Sequence, residues 1–337
     1  MKKFFAILMV SAVFVFADNV VEIGSADAPA VSSQKRAKTD ISYFDALVLG
    51  LVEGITEYLP ISSTGHLIIS NAFLSLDSQT PLVDKTGAPI LTRNGEPFTM
   101  KAAADAYAIV IQIGAIAAVA LLYWDYILRM LMGVLGRNPT GLKLLRNLIL
   151  AFLPAAVVGL LLHGAIETYL FGVKPVIIAL AAGAALMFFV QKRYDARANA
   201  RARFMSMEDL SARSSLYIGI LQCVSMWPGT SRSMMTILGG YLAGMRPADA
   251  ARFSFLLGLM TLSAASVFKM YKEGDMILAT LSAGPLATGL LVAFVSAALS
   301  IKWLVGFLTR RGLSPFAWYR IAIAAVLSAM IYFDLIA

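Results

Sequence analysis

Long apolar runs alternate with short polar ones along most of the chain. The clearest are Ala104 to Trp124, Leu144 to Leu162, Pro175 to Val190, Phe253 to Val267, Leu286 to Val305 and Phe316 to Ile336. Several approach or reach the roughly 20 residues that a helix needs to cross a bilayer core. The pattern therefore predicts six transmembrane helices. Two further apolar stretches behave differently. Residues 41–76 and 214–245 each carry a proline followed by hydroxyl side chains. The first reads Leu59-Pro60-Ile61-Ser62-Ser63-Thr64, the second Trp227-Pro228-Gly229-Thr230-Ser231-Arg232. A proline and a polar run at membrane depth break a helix. The freed backbone groups must be buried in protein or line a wet cavity. Each stretch is thus expected to enter the membrane and return on the side it came from, as a re-entrant helical hairpin.

Each hairpin is followed by three spans. Three is odd, so the two halves, residues 41–192 and 214–337, are expected to lie in opposite orientations. The expected fold is an all-α polytopic membrane protein built as an inverted-topology repeat, with one membrane domain over residues 41–337. Ahead of it, residues 1–17 pair Lys2 and Lys3 with an apolar run and a small residue, Ala17, at the end. That is a signal-peptide pattern, with an uncleaved short anchor as the alternative. Residues 18–40 are polar and read as a flexible extracytoplasmic segment.

Threading the spans from outside places the basic loops consistently. The loop 125–146, with Arg129, Arg137, Lys143 and Arg146, falls inside. So do the more basic loop 191–213 and the pair Arg310-Arg311, as positive-inside bias requires. Residues 77–101 and the C-terminus fall outside. Composition agrees with a membrane domain: 59% of residues are hydrophobic and 14% charged, too little charge for a soluble surface. The net charge of +8 comes mainly from these short loops, so it reads as orientation and not as a nucleic-acid site. The one cysteine, Cys223, excludes an internal disulfide and a cysteine metal site. It reads as a small buried packing residue.

The chemistry concentrates at the two breaks. Glu53 and Glu57 are four residues apart and share one helix face. Two carboxylates there repel unless a cation or shared proton intervenes, and oxygen ligands suit Mg²⁺ or Ca²⁺. Ionisable side chains at membrane depth are functional by default. Ser62, Ser63 and Thr64 can donate to phosphate oxygens or supply a nucleophile. A serine nucleophile needs a base in reach, and His66 is two to four residues away. The other histidine, His163, lacks such company and reads as interfacial. Ser231, Arg232 and Ser233 supply the second segment. Arginine offers a planar fork matched to phosphate that keeps its charge. Carboxylates with an arginine and hydroxyls suggest a metal-assisted phosphate ester or anhydride site. A lipid flippase or transporter on the same inverted repeat is the rival reading, since fold does not fix function.

These motifs resemble the bacitracin-resistance undecaprenyl-diphosphate phosphatases. The stretch Glu53 to His66 is similar to that family's first signature, and Gln222 to Ser233 to its second. Supporting matches are Gln112-Ile113-Gly114, Ala251 to Leu257, and Phe316-Ala317-Trp318-Tyr319-Arg320. The resemblance runs from about Ile41 to the C-terminus. It implies removal of the terminal phosphate from undecaprenyl diphosphate, which recycles the carrier for cell-wall synthesis and confers bacitracin resistance. It also implies a divalent cation, a bacterial inner-membrane location and an active site facing the periplasm. The family's functional positions fall here on Glu53, Glu57, Ser62, Ser63, Thr64, His66, Ser231 and Arg232. In the resulting assignment Glu53 and Glu57 hold the metal, and Glu57, Ser63, His66 and Arg232 are catalytic: either Ser63 or His66 attacks the terminal phosphorus, or a water does so with His66 or Glu57 as base. Ser62, Thr64, Ser231 and Ser233 hold phosphate with Arg232. The partners are the polyprenyl diphosphate and the bilayer, with a homodimer open. Where the family usually has glycine after Ser-Arg-Ser, this chain has Met234, which is expected to crowd the helix start.

Overall fold

The computed structural model of the chain describes residues 41–83, 88–92, 95–170 and 172–336. The expected signal peptide and extracytoplasmic segment lie outside the described residues, as does the side chain of His163. Two short helices come first, α1 (Tyr43–Thr56) and α2 (Ser63–Phe73). Long helices follow: α3 (Met100–Leu122), α5 (Pro139–Leu170) and α6 (Val173–Asn199), with the shorter α4 (Trp124–Val134) between the first two. The second half repeats the order. Short α7 (Ala212–Val224) and α8 (Arg232–Ala243) precede long α9 (Pro247–Thr280), α10 (Ala283–Arg311) and α11 (Ser314–Tyr332). Among the described residues six helices are long and apolar enough to cross a membrane, at the positions where six spans are expected. The chain is a multi-pass membrane protein.

The four short helices do not have that reach. With 14, 11, 13 and 12 residues, they are about 16–21 Å long at 1.5 Å per residue, against about 30 Å of hydrocarbon. Their packing depends on small residues. Gly50 and Gly54 press α1 onto α10, where a Cβ on Gly50 would lie 2.8 Å from the Gly289 carbonyl and one on Gly54 would collide with Ser296. The Ser296 and Ser300 hydroxyls donate to the Gly50 and Gly54 carbonyls at 3.3 and 3.1 Å. Close backbone approach and interhelical hydrogen bonds replace the hydrophobic drive that lipid cannot supply. In the second half Gly219 presses α7 onto the Ala151 backbone of α5 in the same way.

Two loops of the sequence reading carry more structure than expected. Residues 124–134 form α4, folded back on α5: Cβ atoms at Gly133 and Gly141 would run into the facing backbone at Leu142 and Arg129. Its apolar residues are interleaved with polar ones, so no long apolar run announces it. The described residues of the loop 77–101 are pinned by isolated antiparallel bridges, Pro81 to Thr99, Val83 to Pro89 and Leu91 to Pro97. Leu82 and Phe98 tuck into a core with Leu74, Leu76 and Met100.

Candidate active site

The two breaks have nearly the same local geometry. α1 ends at Thr56, and a turn through Pro60 leads to Ser62 at φ 73°, ψ 107°, the N-cap of α2. α7 ends at Val224, and a turn through Pro228 and Gly229 (φ 94°) leads to Ser231 at φ 75°, ψ 116°, the N-cap of α8. Positive φ is rare for serine. Each serine holds its helix start by accepting from a backbone N–H three residues on: Gly65 at 3.5 Å for Ser62, Met234 at 3.2 Å for Ser231. Met234 does not disrupt the helix start. Its side chain is buried, and its Cε would lie 3.0 Å from a Cβ at Gly183 on α6.

The breaks meet. Ser233 Oγ donates to the Leu59 carbonyl at 2.7 Å, joining positions 174 residues apart. Arg232 crosses the junction: Nη2 donates to Glu57 Oε1 at 3.2 Å and Nη1 to the Ser254 carbonyl at 3.1 Å. Its guanidinium lies over the Tyr58 ring, 5.1 Å from the centroid. Gly258 on α9 makes room for it, since a Cβ there would collide with the guanidinium. Arg232 Nε is buried with no partner. On the other oxygen of Glu57, Oε2, Ser63 Oγ donates at 2.8 Å. Glu57 thus sits between a permanent cation and a hydroxyl.

Glu57, Ser62, Ser63, Thr64, Ser231 and Arg232 line one cleft of about 200 Å³. Gln112, Ser225, Pro228 and Gly229 complete its wall. Three other expected site residues stand elsewhere. Glu53 is buried one turn behind Glu57 and receives Gln112 Nε2 at 3.3 Å, so Gln112 connects it to the cleft. Ser233 faces Ser231 and Leu59 instead of the opening. His66 does not line the cleft; its Nδ1 is 2.7 Å from the Ser62 carbonyl and its Nε2 2.8 Å from the Tyr319 hydroxyl. Ser63 therefore finds its basic partner in Glu57.

Gln112, Ser225, Ser254 and Tyr319 join the site without having been singled out by local pattern. Of these four, Gln112 carried a usable signal, as a polar side chain inside an apolar run. Arg320 carried a stronger one: it is charged, mid-helix and 0% exposed.

The charge balance bears on a metal. With both carboxylates ionised, Glu53 and Glu57 would outnumber Arg232 by one charge inside the protein, and buried charge demands compensation. No cluster of three His, Cys, Asp or Glu forms among the described residues. A hard cation held by one or two carboxylates, with water and substrate phosphate as its remaining ligands, fits such a donor set.

Residues 46–326 match the family model described as bacitracin resistance protein BacA. An undecaprenyl-diphosphatase of Sorangium cellulosum is 43% identical over 285 residues, 84% of this chain and 85% of the relative. Undecaprenyl-diphosphatase 2 of Rhodospirillum rubrum is 38% identical over 86% of this chain and 96% of its own length. An undecaprenyl-diphosphatase of Nitratidesulfovibrio vulgaris is 39% identical over 83% and 94%.

Proposed function

The chain belongs to the bacitracin resistance protein BacA family, and from that premise we propose that it is an undecaprenyl-diphosphate phosphatase. It hydrolyses undecaprenyl diphosphate to undecaprenyl phosphate and inorganic phosphate, recycling the lipid carrier and conferring bacitracin resistance. The observation that carries the reading is Glu57 held between Arg232 and Ser63 in a polar cleft inside an apolar protein. The flippase alternative is not favoured: relatives over more than four-fifths of the chain are named as diphosphatases.

In the mechanism Ser63 Oγ attacks the terminal phosphorus while Glu57 Oε2 takes its proton. The bond from that phosphorus to the bridging oxygen breaks, and undecaprenyl phosphate leaves with the proton that Glu57 took. Water then attacks the phosphoserine and gives its proton to Glu57; the bond from phosphorus to Ser63 Oγ breaks, Glu57 returns the proton to Oγ, and phosphate leaves. Arg232 and the hydroxyls of Ser62, Thr64 and Ser231 face the phosphate charge. Phosphoryl transfer depends chiefly on this positioning and neutralisation. Glu53 and Glu57 would hold Mg²⁺ or Ca²⁺, which neutralises phosphate oxygens and removes the carboxylate repulsion.

The same reading extends to the architecture. Two short-helix pairs too short to span act as re-entrant hairpins, and the halves form an inverted repeat. In support, both breaks share one backbone geometry. Each first short helix also packs on a long helix of the other half, α1 on α10 and α7 on α5. The cleft opens to the periplasm, and the protein sits in the bacterial inner membrane. The decisive experiment measures phosphate release from a polyprenyl diphosphate by purified protein in detergent, with and without EDTA. Release that EDTA abolishes and Mg²⁺ or Ca²⁺ restores is expected. No release under any metal condition, with lipid still moved across vesicles, would establish the flippase.

A further inference from the structure

We infer that α11 braces both helix breaks through two consecutive residues: Tyr319 fixes the first by way of the His66 ring, and Arg320 fixes the second directly. Both act as positioning residues.

At the first break the hydrogen-bond chain has one polarity. The Ser62 carbonyl can only accept, so His66 Nδ1 must donate to it across 2.7 Å. In the neutral ring Nε2 is then an acceptor, and the Tyr319 hydroxyl 2.8 Å away donates to it. The two rings lie within 6° of parallel. The chain ends on Ser62, the residue with positive φ that starts α2 next to Ser63. A peptide held in a sparsely populated conformation persists only when its surroundings over-determine it.

At the second break Arg320 Nη2 donates to the Gly229 carbonyl at 2.9 Å and to the Ala179 carbonyl at 2.9 Å. Nε donates to the Leu180 carbonyl at 3.3 Å. Arg320 is fully buried, and the partners it finds are backbone carbonyls of α6 and the break. A buried charge with that company costs stability unless the contacts are wanted. Gly183 is the accommodation for it, because a Cβ there would collide with Nη2. Gly229 lies in the cleft wall two residues before Ser231. One helix turn thus sets the position of both walls, and a shift of about 1 Å in a wall can cost as much as 100-fold in rate.

The catalytic consequence rests on the phosphatase reading, but the brace has a readout of its own. The full chain carrying His163→Gln has His66 as its one imidazole. In ¹⁵N NMR of that protein the ring is expected protonated at Nδ1, with Nε2 as a hydrogen-bonded acceptor. Tyr319→Phe should shift the Nε2 resonance and leave Nδ1 protonated. A ring protonated at Nε2, or an Nε2 resonance unmoved by Tyr319→Phe, overturns the brace at the first break. In phosphate release, Tyr319→Phe and Arg320→Lys are each expected to lower kcat about 10- to 100-fold while KM stays within about twofold. Gly183→Ala, which crowds the guanidinium without removing it, should do the same and stands in if Arg320→Lys does not fold. Unchanged kcat, or a rise in KM alone, overturns the positioning role. A parent protein that releases no phosphate sinks the phosphatase reading, while the nitrogen resonances still decide the brace.

Discussion

Arg232 is held from three sides, by Glu57, the Ser254 carbonyl and the Tyr58 ring. It forms an ion pair with Glu57 at 3.2 Å. Arg232→Ala is expected to lower kcat/KM by about 10³-fold or more, as loss of an arginine that neutralises transferring phosphate does. Arg232→Lys should recover only a small part, because an ammonium cannot fork between two acceptors. Steady-state phosphate release measures both. Ser63→Ala should abolish turnover with substrate affinity largely kept, read by equilibrium binding of the lipid diphosphate; retained turnover would move the nucleophile from Ser63 to water. At this scale the sequence is informative where a polar residue stands in an apolar run. Glu53, Glu57 and Arg232 are visible that way, and so in principle are Gln112 and Arg320. What the residues touch is not visible. Gln112 meets Glu53 across 59 positions and Arg320 meets Gly229 across 91, so the pairing is a product of the fold. The same holds for His66, whose neighbours in sequence suggest a base for Ser63 and whose neighbours in space are Ser62 and Tyr319.

At the scale of elements, the apolar runs locate all six long helices, because bilayer thickness sets their length. The ends are less legible. Leu144 to Leu162 marks only the middle of α5, which runs Pro139–Leu170, since a helix satisfies its own backbone on either side of an apolar zone. Contacts between elements rest on small residues that carry no hydropathy signal. Gly54 is the clearest: its Cα touches α10 where Ser296 and Ala293 leave no space for a side chain. Gly54→Val is therefore expected to push α1 away, lowering stability by about 1–3 kcal/mol as overpacking does. Because Glu53 and Glu57 flank the contact, activity should fall further than stability alone explains. A thermal-shift series in detergent, alongside phosphate release at a temperature where the variant stays folded, separates the two effects.

For the whole molecule the basic loops set a direction. With the proposed orientation, Ser78 lies on the periplasmic side and Arg193 on the cytoplasmic side. Cys223→Ser removes the one native thiol, which donates weakly to Gly219. On that background a membrane-impermeant maleimide should label Ser78→Cys in intact spheroplasts and label Arg193→Cys only after lysis. The reverse pattern would place the cleft on the wrong side for a periplasmic phosphatase. If the proposed cation bridges Glu53 and Glu57, EDTA is expected to lower the unfolding temperature as well as the rate, and Mg²⁺ or Ca²⁺ to reverse both.

Ser62 and Ser231 hold the least favourable backbone among the described residues of the site, at φ 73° and 75°. Such conformations cost on the order of 1–3 kcal/mol each, and glycine adopts them freely. Losing the serine cap in favour of glycine costs only a few tenths of a kcal/mol. A laboratory population evolved for heat tolerance alone would therefore drift toward glycine at 62 and 231. It would gain robustness at the expense of the two hydroxyls proposed to face the phosphate. On that reading, serine at these places trades endurance for turnover.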